Sequence, residues 1–289
     1  MNIAEFTSRE IPLDEFPAWS PWPKRLLGLD NWSIPDRTVE KIDAEYDKDK
    51  YLELLTIAKQ KENVTADDMM AIEFQLETRE SFCISSRGKL YEAPAEHMIP
   101  SNDAVLTEAL SPLMENVDTV VELGCGYGYN LSVLHRNFPD KTYIGGDYSA
   151  NAVKLSEILY KDHDNISLQV FNFYDATYPI LEACAGKKVL LFTRHAIEQL
   201  PTAAPFVNAL PQYFDRIVVG ANLEVVFENY TDTLLDLLRK QYVIANDYNR
   251  DLLSQLKAHK DISIEQNDID VIGPSPLNPT SVIHWRPRR

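Results

Sequence analysis

Residues 119–128 read Thr-Val-Val-Glu-Leu-Gly-Cys-Gly-Tyr-Gly, an apolar run ending in an acid and then alternating glycines. Glycine is needed where a strand turns sharply into a helix and where backbone must come close to a ligand, because no Cβ intervenes. A dinucleotide-binding turn would need Gly-x-Gly-x-x-Gly to set a pyrophosphate on a helix N-terminus. Here the third position of that spacing is Tyr129. Glu122, two residues before the first glycine, is also a poor neighbour for phosphate and suits a ligand with a cationic end. Asp147 closes the next apolar run, roughly 20 residues on, the usual place for a carboxylate that accepts both hydroxyls of a ribose. Further along, Arg194, His195 and Glu198 follow another apolar run, and Glu224 follows the next. His195 is a candidate general base, weighed against the commoner role of a hydrogen-bonded structural histidine. Arg194 is a candidate for a carboxylate, Glu198 for orienting the imidazole, and Glu224 for a cationic acceptor.

The elements that position these residues alternate. Strands are expected at 119–123, 142–147, 166–171, 187–193 and 215–221, with helices near 129–138, 150–162, 202–212 and 231–241. Such alternation argues for a parallel sheet with helices on both faces, and ligands in such sheets bind at the carboxyl ends of the strands. A helix near 248–259 follows, then strands near 261–272 and 280–286 around Gly273-Pro274-Ser275-Pro276, an antiparallel addition.

In this order and spacing the chain resembles the class I S-adenosylmethionine (SAM)-dependent methyltransferases. Glu122 to Gly128 matches their acidic-x-Gly-x-Gly-x-Gly loop and Asp147 their second acid. Phe173-Tyr174-Asp175-Ala176 matches the loop beside the adenine, and Arg194-His195-Ala196-Ile197-Glu198-Gln199-Leu200-Pro201 the segment after the fourth strand. The resemblance covers about 115 to 225, with a terminal strand pair of the same kind. It implies a Rossmann-like, doubly wound α/β fold with a mostly parallel seven-stranded sheet, and SAM as cofactor. By that resemblance Glu122 takes the amino end of the methionine moiety or caps the loop amides. Gly124, Cys125 and Gly126 form the loop, Asp147 binds the ribose, and Tyr148 stacks on the adenine or packs beneath it. Asp175, preferred to Asn172, accepts from the adenine amine. Phe173 lies in the same loop, Tyr174 borders the methionine or the acceptor, and Arg194 reaches the acceptor's carboxylate or that of SAM. His195, Tyr174 and Glu198 are the catalytic candidates. Arg87, Tyr91, Tyr178 and Glu224 are the candidates for substrate binding, with Tyr46, Tyr51, Asn222 and the pair Asp247-Tyr248 as weaker ones.

Composition narrows the substrate. The 289 residues are 45% hydrophobic and 25% charged, as in an ordinary globular protein, and carry a net charge of −16. A chain this acidic repels a polyanion unless its basic residues cluster sharply, and the one dense cluster is the tail Arg286-Pro287-Arg288-Arg289. Nucleic acid is therefore disfavoured and a small-molecule acceptor favoured. No run of about 18 apolar residues offers a membrane span. The N-terminus lacks the basic and apolar regions of a signal peptide. Cys83, Cys125 and Cys184, few and far apart, point to a reducing cytoplasm. No residues have metal-ligand spacing, so no metal is expected.

Residues 1–100 read as an extension on a catalytic domain of 101–289. Residues 1–36 combine five prolines with Trp19, Trp22 and Trp32, a pattern that forbids a long regular helix yet demands cover for the indoles. This arm is expected to pack on the globule, as structure, as a lid over the substrate or as a partner surface in a homodimer. Residues 37–82 look helical, with an N-cap signature at Thr65-Ala66-Asp67-Asp68, Ser85 to Lys89 reads as a turn, and a helix is expected from Asn102 to Met114. The reaction expected is methyl transfer to a small amine, guanidine or amino-acid-like acceptor in specialised metabolism. Cyclisation of SAM to azetidine-2-carboxylate and methylthioadenosine is one alternative, and a non-catalytic SAM-binding subunit the other.

Overall fold

The structure, a computed structural model, describes residues 2–33 and 44–288. Pro35, the expected helical stretch at 37–43 and Arg289 of the basic tail lie outside the described residues.

The frame is a seven-stranded sheet. Its strands are β4 (Thr119–Leu123), β5 (Thr142–Asp147), β6 (Ile166–Val170), β7 (Val189–Arg194), β8 (Ile217–Glu224), β9 (Ile262–Ile272) and β10 (Thr280–Pro287), in the spatial order β6-β5-β4-β7-β8-β10-β9. The first five are parallel, and β10 runs antiparallel to both β8 and β9. The fold is a Rossmann-like doubly wound α/β sheet, as expected. β4 is buried at every position because helices cover both faces. Val120, Leu190 and Phe192 join a core with α3 (Leu52–Gln60), α5 (Met98–Leu110), α6 (Tyr129–Asn137) and α7 (Ala150–Leu159). On the other face Val121, Leu123 and Leu191 pack with α8 (Pro179–Glu182), α9 (Ala204–Ala209) and α11 (Leu252–Ala258). The chain leaves β4 for β5 and β6 on one side, then returns to β7 on the other. That reversal opens a crevice at the carboxyl ends of β4 and β7.

The N-terminal part departs from its reading. A second sheet of β1 (Arg9–Ile11), β2 (Ser81–Ser86) and β3 (Lys89–Pro94) has the order β1-β3-β2, all antiparallel. The turn expected at Ser85 to Lys89 is there, with Arg87 (φ 50°) and Gly88 (φ 77°) both left-handed, as a two-residue hairpin turn requires. The flanking strands went unforeseen because Ser85 and Ser86 face inward rather than to solvent. The arm holds two short helices, α1 (Phe16–Trp19) and α2 (Trp22–Leu26), with Pro17 and Pro23 in their first turns, where a missing N–H costs nothing. Trp22 meets Tyr242 of α10 (Leu234–Ala245) edge-to-face at 4.7 Å. The helix expected from Asn102 starts earlier, at Met98, so a boundary at residue 100 falls inside α5. Ala44–Tyr51 is wound as a π-helix running into α3, and α4 (Ala66–Glu73) begins at Thr65 with a reciprocal capping box to Asp68.

The extension is tied to the main sheet by a buried ion pair. Arg239 of α10 bonds Asp270 of β9 at 3.0 Å, Ser85 of β2 at 2.9 Å and the Pro276 carbonyl at 2.9 Å. Asp270 in turn accepts from the Gly88 amide, so the hairpin turn is gripped by the same carboxylate.

Candidate active site

The glycine loop is shaped by its left-handed backbone and by two close contacts that a Cβ would disturb. Gly124, Gly126 and Gly128 all have positive φ. A Cβ on Gly124 would lie 2.3 Å from Ala196 Cβ, and one on Gly126 would lie 2.6 Å from the Tyr51 hydroxyl. The amides of Gly124 and Cys125 both donate to the Gly146 carbonyl, which seats the loop on the end of β5. Asp147 finishes that strand. One of its oxygens accepts from the Gly126 amide (2.7 Å) and the other from the Ser149 amide (2.9 Å). Burial raises its pKa, while those two amide bonds hold it back. Each oxygen keeps a second lone pair.

Over this loop opens a cavity of about 320 Å³. Its lining brings Gly124, Asp147, Tyr148, Asn172, Phe173 and Tyr174 together on one side and His195, Ala196, Gln199, Leu200, Pro201 and Asp247 on the other. Tyr46, Asp47 and Tyr51 of the π-helix complete the wall. Tyr148 and Tyr174 are about half exposed at the rim, whereas Phe173 is buried. The lining includes no residue of 2–33, so the tryptophan arm packs elsewhere, on α10.

His195 has a left-handed backbone (φ 50°), uncommon for a side chain with a Cβ and frequent at functional sites. Its Nδ1 lies 2.9 Å from Glu198 Oε2 and its Nε2 2.8 Å from Thr280 Oγ1. Burial disfavours its protonation, but the Glu198 carboxylate outweighs it and the pKa is raised. Glu198 also accepts from Gln199 and Asn278. Glu224 is fully buried and accepts from the amides of Ala196, Ile197 and Glu198; burial, then the charge of Glu198, pushes its pKa up to about 7. It ties down the loop carrying His195 and does not reach the cavity.

Other expected residues sit outside the lining. Glu122 is fully buried behind the loop, where Asn130 donates to one oxygen at 2.6 Å and the other has no partner; burial pushes its pKa up to about 8. Arg194 turns away from the cavity to bond Asn130 and Asn102, and burial lowers its pKa. The Cys125 thiol is buried and its pKa raised by that burial. Asp175 faces solvent while Asn172, placed second in the sequence reading, lines the cavity. Tyr178 is fully buried and donates to the Phe173 carbonyl, so it supports the loop from beneath. Arg87 is exposed on the hairpin turn, and Tyr91 packs with Phe82 and Ile84 of the N-terminal sheet. Asn222 is buried between Thr193 and Trp285.

The reading missed Asp47, Thr280 and Asn278. None had a local signal, because each reaches its partner from a distant part of the chain. Among the described residues no group of three or more His, Cys, Asp or Glu could hold a metal ion, and no helix is long and apolar enough to cross a membrane.

No family model matches the sequence, and no curated protein does. Solved structures do resemble the fold. One is the geranyl diphosphate C-methyltransferase from Streptomyces coelicolor A3(2), solved with S-adenosyl-L-homocysteine, at 12% identity over 68% of this chain and 81% of that one (TM-score 0.46). A putative sarcosine dimethylglycine methyltransferase from Galdieria sulphuraria is 13% identical over 68% and 89% (TM-score 0.46). The magnesium protoporphyrin IX methyltransferase from Synechocystis PCC 6803 is 9% identical over 86% and 100% (TM-score 0.49).

Proposed function

We propose that this chain is a SAM-dependent methyltransferase acting on a small amine, guanidine or amino-acid-like acceptor. The observation that carries the reading is the juxtaposition at the strand reversal. A glycine cradle and the Asp147 carboxylate form one side of a single cavity, and His195 with Asp247 the other. The residues present fit the cofactor: Asp147 keeps a free lone pair on each oxygen for ribose hydroxyls, Asn172 offers an amide for the adenine edge, and Tyr148 offers a ring face. Bound there, SAM supplies a methyl group already activated by its sulfonium, so much of the catalysis falls to positioning.

Two features favour a nitrogen acceptor. The lining carries three aspartates, Asp47, Asp147 and Asp247, and neither Lys nor Arg, so it suits a ligand with positive charge. Both nitrogens of His195 are engaged, by Glu198 and Thr280, so a hydroxyl acceptor would have to displace Thr280 before His195 could take its proton. An amine that binds as its cation can lose its proton to solvent and then attack through the freed lone pair, so it needs no imidazole base.

Calorimetry with S-adenosylhomocysteine tests the cofactor. Saturable micromolar binding is expected, and absence of binding by the folded protein would refute the reading. Incubation with SAM alone tests the reaction. Methylthioadenosine formed without an acceptor would show cyclisation, whereas methyl transfer yields S-adenosylhomocysteine only when an acceptor is added. If SAM binds and neither product forms with any amine or hydroxyl acceptor, the chain is a non-catalytic binding subunit.

A further inference from the structure

The wall of the cavity contributed by Ala44–Tyr51 is fastened by one side chain. Asp47 Oδ1 accepts from the Ser149 hydroxyl and from the Asn151 amide at 3.0 Å. Its Oδ2 and its own carbonyl both accept from Asn151 Nδ2, at 3.2 and 3.0 Å. Burial works against the charged form, but the Ser149 and Asn151 bonds with nearby Lys154 prevail, and the Asp47 pKa is lowered. The same Ser149 caps α7 through its hydroxyl, and its amide donates to Asp147. A continuous chain of hydrogen bonds thus runs from the π-helix through Ser149 to the carboxylate that faces the cavity.

The rest of the segment is built to close the site. Tyr51 places its hydroxyl against Gly126, in the space that a Cβ would fill, and Tyr46 and Tyr51 both line the cavity. Lys50 pairs with Glu73 of α4 at 2.6 Å and lies over the Tyr46 and Tyr51 rings. The π-helical winding is itself rare and is frequent at functional sites.

Resting on the cofactor reading above, we infer that Asp47 is a positioning residue: it latches the Ala44–Tyr51 helix onto the first turn of α7, so that closure of this helix and occupation of Asp147 are one coupled event. The latch aligns Ser149, Ser149 aligns Asp147, and the closed helix brings Tyr46 and Tyr51 over the ligand. A ligand that bridges Asp147 and the tyrosines holds the helix shut, and a shut helix presents Asp147 in its binding geometry.

The test uses the full chain with Asp47→Ala, Asn151→Ala and the double variant, read by calorimetry with S-adenosylhomocysteine and by amide hydrogen exchange. Each single variant is expected to weaken binding about tenfold, the loss of one or two hydrogen bonds to a charged group. Asn151→Ala removes only the side-chain part of the latch, since the Ser149 hydroxyl and the Asn151 amide still reach Asp47, so the double variant should be little weaker than Asp47→Ala alone. In the free protein Asp47→Ala should speed exchange over 44–60 and leave β4 and β7 unchanged. Ligand should slow exchange over 44–60 in the native chain and do so less in the variant. Native affinity in Asp47→Ala, or strictly additive losses, would overturn the latch. If the native chain binds no S-adenosylhomocysteine, the cofactor reading and the coupling fail together. Exchange in the free protein then still decides the latch itself: unchanged rates over 44–60 in Asp47→Ala would refute it. Asn151→Ala serves as the second variant should Asp47→Ala not fold.

Discussion

The two sides of the cavity are made in different ways. The Asp147 side is built around one stretch of chain, 122–149, in which a strand, a turn, a helix and a second strand place Gly124, Gly126 and Asp147 within a single local unit, joined by the loop of Asn172 to Tyr174. The opposite side is gathered from distant segments: His195 after β7, held by Glu198 and by Thr280 at the start of β10, and Asp247 after α10, while the π-helix from the N-terminal extension is fastened to the first side. The first side is set by backbone, through left-handed glycines and amide hydrogen bonds. The second is set by side chains that hold one another. A site divided this way should lose binding when the first side is damaged and turnover when the second is.

The most severe way to break the first side is Gly124→Val. Its Cβ would meet Ala196 at 2.3 Å and its backbone would keep a positive φ. Overpacking and left-handed strain together should cost about 3 kcal/mol or more in denaturant melts, with binding of S-adenosylhomocysteine abolished. Asp147→Ala spares the backbone and should weaken binding by about 1–3 kcal/mol in calorimetry. On the second side, His195→Ala should leave that affinity unchanged and lower kcat by less than about 100-fold. A larger fall, into the range of a true general base, would signal a hydroxyl acceptor in place of an amine.

The smallest expected effect is on stability with pH. The His195 pKa is raised in the fold against the opposing effect of burial. Its ion pair with Glu198 therefore contributes fully below the ordinary histidine pKa of about 6.5 and is lost as pH rises through the folded value. Glu198→Gln should bring the folded value down, flatten that part of the stability curve, and shift the His195 resonance in an NMR titration. An unchanged titration would mean that the 2.9 Å contact does not govern the imidazole.

Legibility followed the same division. Thr119–Leu123 and Thr142–Asp147 match their expected spans residue for residue, because each is an apolar run stopped by a turn signal. The terminal pair β9 and β10 was legible for the same reason. Arg194 was expected in the site because it follows a strand end, yet it faces inward, where Asn130 and Asn102 offer it acceptors. Asp175 is exposed and Asn172 lines the cavity, because the direction of side chains in an irregular loop has no period to read.

By itself the sequence determined the sheet, its doubly wound connections, the glycine turn and the position of Asp147. Those follow from local propensity and hydrophobic pattern, which act over a few residues. Only the tertiary structure decided which polar groups meet: Asp47 with Ser149 and Asn151, His195 with Thr280, and Arg239 with Ser85 and Asp270. Hydrogen bonds and ion pairs need partners within about 3 Å, and no spacing rule brings residues 31 to 154 positions apart to that distance until the chain has folded.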